Sequence, residues 1–156
     1  MAPERHWSGT SATSFATVGM SAEPMPTSPG PGNGGRAELR LARGDALAPD
    51  DEYAIAVALA NLAVHPWKTG APINWGHIVG TGEEFPTFAG CTAVFLSGPL
   101  TPTGDDYIHT ADGPVRIINV VPITDAERSH ARTLPPATFI NQLVDEVDIF
   151  APRFTS

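Results

Sequence analysis

VRIINVVPITDAERSHAR, residues 115–132, carries two kinds of element back to back. Val115 to Val121 is β-branched and apolar almost throughout, which predicts a strand. Thr124 followed three residues later by Glu127 forms a capping box: hydroxyl and carboxylate each take up an amide that the first helical turn leaves without a partner. A helix is therefore predicted from Asp125 to about Arg132.

Working outward, Thr133 to Pro136 breaks that helix, and Ala137 to Val147 reads as another. Phe139, Ile140, Leu143, Val144 and Val147 recur at helical spacing and supply its buried face. DIFAPRFTS, the last nine residues, reads as an extended segment lying on the body. Upstream, Asp112-Gly113 marks a tight turn behind a short strand at Tyr107 to Thr110. Ser97 to Asp106 is a long turn. Cys91 to Leu96 is a continuous apolar run of strand length, expected to be covered on both faces.

The helix of the first half lies in DEYAIAVALANLAVHPWKTGAPINWGH, residues 51–77. Tyr53, Val57, Ala60 and Val64 step at helical spacing, with Ile55, Leu59 and Leu62 widening the stripe expected to be buried. Asp50 or Asp51 is placed to cap it, and His65-Pro66 to end it, since a residue before proline is pushed out of helical geometry. Trp67 to Pro72 then reads as a turn and Ile73 to Val79 as a short extended piece. Before the helix, Arg36 to Ala42 alternates strictly, with Ala37, Leu39 and Leu41 on one face and Arg36, Glu38 and Arg40 on the other, expected solvated, face. Ser14 to Met20 alternates well enough for a first strand. AEPMPTSPGPGNGG between the two is too rich in proline and glycine to be anything but loop.

The order is thus strand, strand, helix, strands, helix, helix. It predicts an α/β fold of the α+β type, a mixed, largely antiparallel sheet flanked by helices. Residues 1–11 are expected to form a loose tail and 12–156 one domain.

Seventeen Asp+Glu against nine Lys+Arg give a net charge of −8, which argues against nucleic acid as ligand and suits a basic protein partner. Cys91 is the only cysteine, so no intrachain disulfide forms, and its apolar run marks it as a core residue. No apolar run is long enough for a bilayer and no signal-peptide pattern opens the chain, so a cytoplasmic location is expected. There is no P-loop, no GxSxG elbow and no HExxH, and the five histidines lack metal spacing. No catalytic residue, cofactor or metal is expected. His77, with Asp105, Asp106 or Glu127 to orient it, is the only arrangement that would suit a hydrolase; hydrogen bonding to backbone is the simpler role for this histidine. Trp67 and Trp75 bracket a turn, where they serve either as core lids or as interface anchors.

Five pieces taken together resemble the suppressor of fused domain in its bacterial form: TSFATVGMSAEPMP, RAELRLA, ALANLAVHPWKTGAPINWGH with its Trp-Gly-His, and INVVPIT running into DAERSHAR. They fall in order between Thr10 and Arg132. The resemblance implies a mixed sheet flanked by helices and a non-enzymatic protein-binding role. Animal members bind a transcription factor, and bacterial members are associated with toxin systems as immunity proteins. A basic toxin domain is the partner so implied, with Trp67, Trp75, His77, Asp105 and Asp106 as candidate contact residues. A regulatory adaptor that binds a peptide strand along a sheet edge is the alternative.

Overall fold

The computed structural model describes residues 12–27 and 34–153. The loose tail expected over 1–11 lies outside them, as does the middle of the Pro-Gly loop.

β6 (Gly113–Thr124) is the spine of the sheet. Its first half pairs in parallel with β2 (Arg36–Gly44), Arg36 opposite Val115 and Arg40 opposite Asn119, and on the other edge antiparallel with β5 (Tyr107–Thr110). Its second half pairs antiparallel with β4 (Cys91–Ser97), so β5 and β4 share one edge in succession. β1 (Ala12–Ala16) and β3 (Ile78–Gly80) add antiparallel at the two sides, giving the order β1-β2-β6-β4-β3. The mixed, largely antiparallel sheet matches the pattern read from the sequence.

Period-two alternation sorts the side chains onto two faces. Ala37, Leu39, Leu41, Val94, Leu96, Ile118 and Val120 meet Ile55, Leu59 and Leu62 of α1 (Pro49–Ala63). Ala93, Phe95, Val121 and Ile123 meet Ala131 of α3 (Asp125–Ala131), Phe139 and Leu143 of α4 (Pro136–Glu146), and Ile149. β4 is thus covered on both sides, as its unbroken apolar run predicts.

Several local expectations change. The first strand lies earlier than Ser14–Met20: it ends at Ala16, Gly19 turns left-handed at φ 107, and Met20–Ala22 closes a 3-10 turn. Neither Asp50 nor Asp51 caps α1. Ala48 holds the cap position without a side-chain bond, Pro49 opens the helix, and the acidic residues fill its first turn. His65-Pro66 does end α1, but the chain re-enters a helix at once in α2 (His65–Thr69), because proline suits a first turn. The capping box forms as read: Thr124 Oγ1 accepts from the Glu127 amide at 3.1 Å, and Glu127 Oε1 from the Thr124 amide at 2.9 Å. Over its described residues, 148–153, the C-terminal segment lies on the body but bends instead of extending, with the Phe150 amide on Asp148 Oδ1 at 3.0 Å; 154–156 lie outside the described residues.

Candidate functional site

α1 is apolar on two sides. Ile55, Leu59 and Leu62 go into the core, while the stripe begun by Tyr53 points outward: Tyr53 is 71 % exposed, Val57 41 % and Val64 43 %. The expectation that Tyr53, Val57, Ala60 and Val64 would be buried is therefore reversed. A helix rich in alanine offers no polar face to distinguish the inner side from the outer, and tertiary packing decides. Trp67 on α2, 41 % exposed, extends the outward stripe.

Beside this stripe runs a groove of about 500 Å³, walled on one side by Ala56, Leu59, Ala60, Ala63, Val64 and Trp67 and on the other by Phe15 to Met20. Glu38 fixes the far wall. Its carboxylate accepts from the hydroxyls of Thr17 and Ser21, from the Ser21 amide at 2.9 Å and from the Gly19 amide at 3.2 Å. Burial alone would raise the Glu38 carboxyl, but the hydrogen bonds from the Ser21 hydroxyl, the Thr17 hydroxyl and the two amides outweigh it and hold it below the usual carboxylate range. The solvated charged face expected of β2 is thus, at Glu38, a socket that shapes the groove. Among the described residues β1 pairs with β2 alone. Since the Thr17 amide bonds to Leu39 O, alternation turns the backbone groups of Ser14 and Ala16 toward the open edge. A second groove of about 470 Å³ follows the other side of α1, against residues 79–81 and 83–86.

The five candidate residues do not form one cluster. Trp67 lines the first groove. Trp75 is half-buried against the α1-side core: its indole Nε1 donates to Ile117 O at 2.9 Å, its ring stands edge-on to Tyr107 at 5.6 Å, and the Arg116 guanidinium lies over it at 5.6 Å. His77 is exposed, and its Nδ1 accepts from the Asn74 amide at 3.1 Å, the backbone role that is the simpler expectation for it. Asp105 and Asp106 are exposed on the approach to β5, with the Ile117 amide on Asp106 O at 2.8 Å. The structure therefore joins Trp75 to the Asp105–Tyr107 segment and leaves Trp67 apart. Glu127, once a candidate to orient His77, is committed elsewhere: it closes the capping box and pairs with Arg153 at 3.1 Å.

Sequence reasoning missed Glu38, Arg116 and Arg153. The partners of Glu38 lie about twenty residues upstream, those of Arg153 span 89 to 151, and no local spacing announces such contacts. Cys91 is fully buried, and burial pushes its thiol up to about 11 against the opposing charge of Arg153. It is a core residue and a poor nucleophile. Among the described residues no group of three or more His, Cys, Asp or Glu is placed to hold a metal ion, and no helix is long and apolar enough to cross a membrane.

A family model described as suppressor of fused protein (SUFU) matches residues 5–153. No curated protein matches the chain. Solved structures with a similar fold include one of the Sufu-Fu complex, at a TM-score of 0.61 and 14 % identity over 87 % of this chain and 62 % of that one. Drosophila Suppressor of Fused aligns at 0.54 and 15 % over 71 % of this chain, which spans 28 % of its length. A SUFU homologue from Neisseria gonorrhoeae FA 1090 aligns at 0.56 and 16 %, covering 98 % of this chain and 91 % of its own.

Proposed function

The chain belongs to the suppressor of fused family, and from that premise we propose that it is a non-catalytic domain that binds a protein partner across the outward side of α1, Trp67 and the open edge of β1. The observation that carries this reading is the exposed apolar stripe Tyr53–Val57–Val64–Trp67 running beside an apolar groove. Side chains of this kind gain most when a second surface removes them from water, and Trp and Tyr concentrate where binding energy does. That one of the related structures is a complex of Sufu with Fu agrees with a role in protein binding.

Two features bear on the partner. The β1 edge offers backbone donors and acceptors next to the groove, which suits an extended segment that adds as a strand with alternate side chains in the groove. The net charge of −8, with Asp50, Asp51 and Glu52 at the head of α1, suits a partner of basic surface. An immunity protein masking a basic toxin domain would use both features. Co-expression with the products of adjacent genes tests the reading: the wild-type chain is expected to co-purify with one of them in stoichiometric amount, and Val57→Asp with Val64→Asp to abolish this at unchanged melting temperature. Retention of the partner by the double variant would place the interface elsewhere.

A further inference from the structure

Arg116 stands in the corner between two rings. Its guanidinium carbon is 5.6 Å from the Trp75 centroid and 5.9 Å from that of Tyr107, and the rings meet at 65°. Both rings are themselves held, Trp75 by its bond to Ile117 O and Tyr107 by its register opposite Arg116 in the β5–β6 hairpin. Cation–π contact orients the guanidinium without using its N–H groups. Three other arginines spend theirs on the fold: Arg36 donates to Ser21 O and Ala22 O, Arg43 to Gly44 O and Thr87, and Arg153 to Glu127, Ala151 O and Pro122 O. Among the described residues the Arg116 side chain makes neither a hydrogen bond nor an ion pair, and its nitrogens are not sealed from solvent. Gly35, at φ 82, passes close to the end of the fork. A Cβ there would stand 3.6 Å and 3.7 Å from its two terminal nitrogens, space that glycine leaves empty.

We propose that Arg116, oriented by Trp75 and Tyr107, is a binding site for a carboxylate of a protein partner. A planar fork fixed in one direction matches a carboxylate in a two-bond pairing, and orienting it beforehand removes part of the entropy that such a pairing costs. Trp, Tyr and Arg together are the residue types in which interface energy concentrates. A carboxylate is favoured over a phosphate because Asp105 and Asp106 precede Tyr107 on a chain of net charge −8, and a dianion is repelled more strongly than a monoanion. The site uses none of the residues that line the α1 groove.

Arrays of synthetic octapeptides, printed with free and with amidated C-termini, test the proposal on the full chain. Peptides retained by the wild type are expected to carry Asp or Glu at a fixed position if a side chain supplies the carboxylate, or to require the free C-terminus if the chain end does. Arg116→Gln is expected to weaken these peptides by about tenfold or more, and Arg116→Lys to fail to restore them, because an ammonium lacks the fork. Circular dichroism and melting temperature establish that both variants fold. The proposal is overturned by equal retention on wild type and Arg116→Gln, by an array without any Arg116-dependent peptide, or by preference for phosphopeptides over their glutamate counterparts. Binding by peptides that Val57→Asp abolishes and Arg116→Gln leaves intact would uphold the α1 surface while removing this site.

Discussion

The two faces of the sheet are finished in different ways. One is closed by α3, α4 and the C-terminal segment, with the Phe139 ring tilted 58° to that of Phe95 at 5.1 Å and the Arg153–Glu127 pair pinning that segment to the start of α3. Arg153 also donates to Pro122 O at 3.0 Å and Ala151 O at 2.9 Å, while its amide reaches Ala89 O at 3.0 Å. The other face is covered mainly by α1, which lies between two grooves and turns a second apolar side to solvent. The contrast separates two uses of apolar sequence. Where polar groups lock a helix and a chain end in place, apolar side chains serve stability. Where alanines and an uncapped helix leave both sides similar, part of the apolar surface is left for something else.

Variants on the closed face should cost stability. Phe139→Ala removes a fully buried ring, and a loss of about 4 kcal/mol is expected in denaturant unfolding, typical of a large aromatic truncated in a core. Arg153→Met strands Glu127 without its partner, with a loss of about 3 kcal/mol expected at neutral pH, the lower end for a broken buried pair. If Arg153→Met unfolded no more easily than wild type, the pinned chain end would be ornamental and the contrast between the faces would weaken.

Variants on the open face should change little in stability. Val57→Asp with Val64→Asp is expected to stay within about 0.5 kcal/mol of wild type per site while removing partner binding. The smallest effect concerns the groove wall. Because the Glu38 carboxyl is held below its ordinary range in the folded protein, its contribution is fully present above the unfolded carboxylate pKa and is lost as pH falls through the lower folded value. Glu38→Gln should therefore flatten the acid limb of a stability-against-pH curve. A limb of unchanged slope would mean that the Thr17–Ser21 segment does not depend on the ionised carboxylate.

Most of the architecture was legible where its cause is local. The alternation in Arg36–Ala42 placed Ala37, Leu39 and Leu41 inward, and Thr124 with Glu127 marked the start of α3 to the residue. The reading failed where two local solutions were equally good. Tyr53, Val57, Ala60 and Val64 step as regularly as Ile55, Leu59 and Leu62, and only the position of the sheet chooses between them. At Pro66 the rule that ends a helix before proline held, while the same residue opened the next helix. Of the candidate residues, the two tryptophans were visible by type alone. That one is held by Ile117, Tyr107 and Arg116 and the other lies open beside α1 depends on contacts more than thirty residues away in sequence in the first case.

The pairing of β2 with β6 has a consequence for how the chain acquires its shape. Arg36 waits for Val115, half the chain later, before either strand gains its parallel neighbour. The strand that joins the halves is thus made late in synthesis, and the intervening loop must be closed at an entropic cost before the pairing rewards it. Until then, β1 and β2 form an antiparallel pair with an unoccupied flank, and β4 has only the three residues of β3 beside it. Folding should therefore be slow for a chain of this length and its intermediates open to strand exchange, with completion tied to the emergence of β6.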